Sequence, residues 1–316
     1  MRNNVVTRLA VGLLAACLSA GGVSVAKLVP LTEMESGRVS LGGVGRDTRD
    51  GDQTDSDRSF RQDEVFDNFE QAFGAPEKVK RLVIQNEDHE MKHLPPRLGT
   101  LVNLESLEMA CLEKLEDLPA EIGKLRKLEE LIIDNGNGCQ MNVSLPRSIG
   151  QLENLRVLRL YGALDARGIG SGEPARRSRS KSLPDTVARL RRLEELDLGR
   201  NGLRSVPPHI ASLRRLKRLG LDYNDLREIP PFIGNLTNLE ELSLRSNGGV
   251  RLPQSLAGVK GLRVVMGNNA LTLKDQRALR SRFPNVVFSF ENEFEDDAAN
   301  EEAPRPRPKA RRGRNR

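Results

Sequence analysis

Few side chains in this 316-residue sequence have the types and spacing that chemistry demands. The histidines are His89, His93 and His209. His89 and His93 stand four apart, but no helix is predicted there and no third ligand accompanies them. A zinc site needs three protein ligands or more, so these read as solvated loop histidines and no metal is assigned. The run Gly168 to Gly172, "GIGSG", lacks the following Lys-Ser/Thr and the strand-to-helix setting that turn glycine amides toward a phosphate. Asn142-Val143-Ser144 and Asn235-Leu236-Thr237 match a glycosylation pattern that is common by chance. The Glu pairs, as at Glu194-Glu195 and Glu240-Glu241, read as a solvated face. No catalytic set and no cofactor site follows, and the expected class is non-enzymatic.

The elements that would position any site come from a repeat. An aliphatic-Pro pair recurs at Leu94-Pro95, Leu118-Pro119, Leu145-Pro146, Leu183-Pro184, Val206-Pro207, Ile229-Pro230 and Leu252-Pro253, at intervals of 24, 27, 38, 23, 23 and 23 residues. Each unit adds an aliphatic four residues after the first anchor, from Leu98 and Ile122 to Leu256, and continues as L-x-x-L-x-L. Leu193, Leu196 and Leu198 are one such set; Leu216, Leu219 and Leu221 are the next. Asn201, Asn224 and Asn247 close three units. The L-x-L step has the period of a strand with one buried face, too short to stand alone. Repetition at this spacing stacks one strand per unit into a parallel sheet, each unit covering the leucines of its neighbour.

These residues resemble the leucine-rich repeat family, in its typical 23-residue, Ras-suppressor-like form. The resemblance covers roughly residues 79 to 271. It implies an α/β fold: a right-handed solenoid with a curved parallel sheet on the concave face and short helices or loops on the convex face. It departs from the pattern where Leu112, Gly136 and Ala163 stand in place of the asparagine, and the last unit is one residue short, with Asn269 in that role.

Both ends of a solenoid need covering. Phe66, Phe69 and Phe73, spaced three and four apart before Gly74 and Pro76, predict an amphipathic capping helix over 60–78. A helix near Lys274 to Arg282 and an alternating strand to Phe290 predict the other cap, so the repeat domain spans 79–290, interrupted by an insertion at 162–182. Residues 17–59 read as a disordered linker, and 291–316 as a disordered tail, acidic and then basic.

Residues 1–16 have the layout of a signal peptide. Leu14-Ala15-Ala16-Cys17 resembles a bacterial lipobox, which implies lipidation of Cys17 and anchoring in the cell envelope. Cleavage after Ala26 and soluble secretion is the alternative. Export would permit a disulfide between Cys111 and Cys139; two free thiols remain equally open.

What remains is surface. Residues between and flanking the strand leucines point to the concave side, among them Ile132, Asp134, Val157, Arg159, Tyr161, Asp197, Arg218 and Asp222. Ile132, Val157 and Tyr161, with Arg159 between them, have the composition of an interaction hot spot. The expected function is a scaffold that binds a protein there, as a monomer. The alternative is polyanion binding by Arg176, Arg177, Arg179 and Lys181 with the basic tail 305–316. The +6 net charge permits it, but the excess is small for 50 basic and 44 acidic residues. Nucleic acid is disfavoured, because the basic stretches lack stacking aromatics.

Overall fold

A computed structural model describes residues 38–39, 60–85, 91–135, 142–164 and 182–290. The expected signal peptide and tail, the expected linker apart from 38–39, and Cys17, His89, Cys139, Arg176, Arg177, Arg179 and Lys181 lie outside the described residues.

Strands β1 (Arg38–Val39) and β2 (Phe60–Arg61) pair antiparallel. The ten that follow form one parallel sheet in strict chain order. They are β3 (Val65–Phe66), β4 (Arg81–Gln85), β5 (Ser106–Ala110), β6 (Glu130–Asp134) and β7 (Val157–Tyr161). Then come β8 (Glu195–Asp197), β9 (Arg218–Gly220), β10 (Glu241–Ser243), β11 (Arg263–Val265) and β12 (Val287–Ser289). One register runs through the sheet, aligning Leu107, Leu131, Leu158, Leu196, Leu219 and Leu242 in a buried row. Successive strand side chains alternate faces, so the residues on either side of that row must take the opposite face.

Parallel strands require a crossover, and the proline supplies its start. Pro95, Pro119, Pro146, Pro184, Pro207, Pro230 and Pro253 each precede a five-residue 3₁₀ helix as its N-cap. At that place a missing N–H costs nothing, because the first amides of a helix have no partner within it. The aliphatics four residues after each anchor, such as Ile122, Ile149 and Ile233, are fully buried beneath these helices. Neighbouring helices approach closely. A Cβ on Gly150 would collide with the Thr186 backbone oxygen and stand 2.7 Å from the Thr186 Cβ. Backbone cannot swing aside, so Gly150→Ala is expected to cost about 1–3 kcal/mol in a denaturant melt; an unchanged midpoint would show that the coils can part.

At the strand-trailing edge the chain turns through a left-handed residue. Arg200, Tyr223, Ser246 and Asn268 have φ of 58°, 54°, 54° and 57°, each just before a buried asparagine. That asparagine serves the backbone the turn would strand. The Asn224 amide nitrogen donates to the carbonyls of Leu198, Leu221 and Asp222 at 3.0, 2.9 and 3.1 Å. Its oxygen accepts from the backbone N–H of Asn201 and Leu203 at 3.1 and 2.9 Å. Asn247 and Asn269 repeat the scheme. Asn201 does so across the insertion, donating to Leu160 O at 2.7 Å and accepting from Leu164 N at 2.8 Å. In the β6 coil the asparagine is Asn135, one residue before Gly136, with its amide on Gly162 O at 3.0 Å.

The N-terminal cap corrects the expectation of a helix over 60–78. Only Phe69–Gly74 is α-helical (α1), begun by the Asn68 side chain accepting from Gln71 N at 2.9 Å. Phe66 instead lies on β3, whose pairing with Arg81 and Leu82 adds a strand to the sheet. Backbone pairing with an otherwise open sheet edge outweighs one more helical turn. Phe69 still packs on the core and stacks on Phe73. The C-terminal cap follows expectation: helix α2 (Leu273–Arg282) starts at a Thr272–Asp275 capping box and lays Phe283, fully buried, over the last coil. One core runs from Phe69 to Phe288.

Candidate functional site

The sheet register decides which concave residues meet. Ile132 pairs with Arg159, Asp134 with Tyr161, and Arg159 with Asp197. Val157 and Tyr161 lie two residues to either side of Arg159 on β7, so the expected cluster of Ile132, Val157, Tyr161 and Arg159 is brought together. Its three apolar or aromatic members are half-buried. Tyr161 leans along the sheet onto Gly199, where a Cβ would come within 2.7 Å of the ring. A glycine there is what lets the ring lie down.

The charged members do more within the sheet than the sequence suggests. Glu195 was expected on a solvated face, and the structure corrects this: it is 7 % exposed. Arg159 donates to one of its oxygens through Nε, and Arg218 reaches the other at 2.9 Å through Nε and 2.8 Å through Nη2. A carboxylate with Arg218 in register on the following coil and Arg159 diagonally across on the preceding one has its charge met twice. Burial pushes the Glu195 carboxyl up, but the Arg159 hydrogen bond and the charges of Arg159 and Arg218 together hold it below the ordinary glutamate range. Burial alone would lower the Arg159 pKa; Glu195, with Asp197 and Glu130 nearby, raises it instead. Asp222, 2 % exposed, accepts from the Ser243 hydroxyl at 2.6 Å and from Arg245 N at 2.8 Å. Asp197 accepts from Gly199 N at 2.8 Å. Arg159, Arg218 and Asp222 are therefore framework, and Ile132 and Tyr161 stand half-buried beside Arg159 with Val157 on the same strand. The same pairing recurs at Arg81 and Glu108, 2.9 Å apart.

The remaining candidates fall elsewhere. His93 lies away from the strands, its Nδ1 3.0 Å from Asp117 of the next coil. Among the described residues no group of three or more His, Cys, Asp or Glu is placed to hold a metal ion, and no helix is long and apolar enough to cross a membrane. Cys111 is disulfide-bonded, and the other two cysteines, Cys17 and Cys139, lie outside the described residues.

Residues 175–282 match the family described as "Leucine-rich repeat region". The chain carries a leucine-rich repeat solenoid. The same coil, with Pro-started 3₁₀ helix and parallel strand, extends the solenoid back to β4. Similar solved structures include a Leptospira interrogans leucine-rich repeat protein, LIC12759, at 25 % identity and a TM-score of 0.42. The alignment covers 72 % of this chain and 64 % of that one, so this chain spans under two thirds of that relative. Internalin C2 of Listeria monocytogenes is 16 % identical over 75 % of this chain and 87 % of its own, with a TM-score of 0.45. A plant peptide hormone receptor, RGFR1, solved in complex with RGF2, is 20 % identical over 72 % and 37 %, with a TM-score of 0.39. No curated protein matches the sequence. A leucine-rich repeat solenoid of this kind offers an extended surface suited to protein binding.

Proposed function

We propose that this leucine-rich repeat protein is a non-enzymatic scaffold that captures a protein partner on its concave face, with Ile132, Val157 and Tyr161 around Arg159 as the central contact. The observation that carries the reading is a half-buried apolar cluster set beside an arginine that Glu195 already holds in place. An anchor fixed before binding loses less freedom when the partner arrives. Arg159 is already matched by Glu195, so an apolar side chain landing on Tyr161 does not strand it.

The scaffold is exported and tethered through Cys17. Support comes from the Leu14-Ala15-Ala16-Cys17 motif behind a short apolar run and from the disulfide at Cys111, a bond favoured in oxidising compartments.

Affinity capture from the envelope fraction with the full chain, compared with Tyr161→Ala, tests the concave contact. Truncation of a central aromatic anchor is expected to weaken the complex by about 2 kcal/mol, roughly thirtyfold. A partner retained equally by Tyr161→Ala and by Ile132→Asp would place the interface elsewhere.

A further inference from the structure

In every coil the 3₁₀ helix passes into the next strand through a two-residue turn. These turns, with the last residue of each 3₁₀ helix, stack along the strand-leading edge of the solenoid. Cross-coil bonds tie the first four turns together: the Lys127 ammonium donates to Asn103 Oδ1 at 2.8 Å, the Asn154 amide to Arg126 O at 2.7 Å, and Arg192 to Asn154 Oδ1 at 2.8 Å. Farther along, the Asn238 amide donates to Arg214 O at 2.7 Å.

Three of the turns read Leu125-Arg126-Lys127-Leu128, Leu190-Arg191-Arg192-Leu193 and Leu213-Arg214-Arg215-Leu216. Their leucines are buried, which forces both basic residues outward. Across seven coils the edge positions hold nine lysines and arginines against one acid, Glu153, all of them exposed. That excess is larger than the +6 of the whole chain. These edge positions thus carry a strong local excess of positive charge. With parallel strands about 4.8 Å apart, the six coils from the Lys124 turn to the Lys260 turn spread it over roughly 24 Å.

Arg126 takes up Glu153 at 3.2 Å, whereas the side chains of Arg189, Arg191, Arg215 and Lys260 make no hydrogen bond or ion pair among the described residues. Two shallow recesses open between the turns. One, of about 530 Å³, gathers Arg126, Arg189, Arg191 and Arg192 with Glu153 as its only acid. The other, of about 350 Å³, brings Arg215, Lys217 and Lys260 beside Glu194 and Glu240. Glu194 is already paired with Lys217 at 2.9 Å and Arg156 at 3.2 Å.

We propose that this edge is a second binding surface, separate from the concave face, for a flexible polymeric polyanion carrying phosphate or sulfate groups along its chain. The charge is arranged in file along the solenoid, and unlike charges at this density attract by releasing counterions. Recesses between coils admit groups that project from a chain, whereas a planar bilayer would meet only the crest. The edge has no aromatic ring on which a base could stack. Its sole apolar residue, Val102, sits in the first coil, outside the basic stretch.

The test uses the full chain and labelled linear polyphosphate, with dextran sulfate as a second polymer and pyrophosphate as a short control. Affinity is expected to rise with polyphosphate length and to fall linearly with log salt concentration. The variant Arg189→Glu, Arg191→Glu, Arg215→Glu, Lys260→Glu is expected to weaken binding on the order of 100-fold and flatten the salt slope. If the reversed charges unfold the chain, the same four positions changed to Gln are expected to lose about tenfold. Removal of 305–316 together with Arg176, Arg177, Arg179 and Lys181 changed to Ala should leave affinity within roughly threefold, and Tyr161→Ala should leave it unchanged. Binding of polyphosphate but not dextran sulfate, or the reverse, assigns the anionic group and supports the edge either way. Two results overturn the proposal: full binding by the edge variants, or phosphatidylglycerol vesicles capturing the wild type while neither polymer does.

Discussion

Asn224→Ala is expected to destabilise the repeat domain by about 3–5 kcal/mol. The side chain is 6 % exposed and makes five hydrogen bonds, none of which water can readily replace. Its loss strands carbonyls on two coils and the amides of Asn201 and Leu203, each an unmet buried group worth about 1–3 kcal/mol before relaxation. The turn itself compounds the cost, because Tyr223 just ahead holds a left-handed φ of 54° that a β-carbon disfavours. Urea unfolding gives the magnitude, and hydrogen exchange should show Asn201 and Leu203 amides losing protection before the convex 3₁₀ helices do. Asn224→Asp separates the two halves of the role: it keeps the acceptor but turns a carboxylate oxygen toward three carbonyls, so it should be no milder than alanine. A loss below about 1 kcal/mol for both would mean that the coils hold their turns by packing alone.

Glu195→Gln is expected to cost about 2–4 kcal/mol at neutral pH, because Arg159 and Arg218 would be left facing each other with no charge between them. The carboxyl is held below its ordinary value of 4.5 in the fold. Its contribution is therefore fully present above 4.5 and is lost as pH falls through the lower folded value. Glu194, held down by Arg156 and Lys217 against the upward push of burial, adds in the same direction. Denaturation midpoints of wild type and Glu195→Gln should lie far apart at pH 7 and converge in acid. Parallel curves over the whole range would show that the arginines find other partners. The same variant bears on binding, since it releases the Arg159 guanidinium that the proposed concave contact uses as a fixed anchor.

Much of this architecture was legible in the sequence because it rests on period. The aliphatic-Pro pairs predicted where each crossover begins, the L-x-L steps predicted the strands and their buried rows, and Asn201, Asn224 and Asn247 marked the turns. Asn269 fills the same role one residue early, as expected of the short last unit. Departures came where a neighbour outvoted a local pattern. The helical spacing of Phe66, Phe69 and Phe73 is genuine, yet Phe66 joins a strand because β4 would otherwise present a bare edge. Asn135 went unread because it sits one residue off the repeat, where Gly162 of the next coil offers its carbonyl.

The sequence by itself determined a stack of short coils, the residues that face its core and the face on which Ile132, Val157, Arg159 and Tyr161 stand, because side-chain alternation and repeat period are local rules. Only the tertiary structure decided which of those residues are available. Glu195 looks like one of two adjacent surface acids until the register sets it between Arg159 and Arg218, residues 36 and 23 positions away. The basic edge likewise has no density in the linear chain, where its turns are separated by whole repeats and an insertion. It exists because stacking brings each turn within one strand spacing of the next.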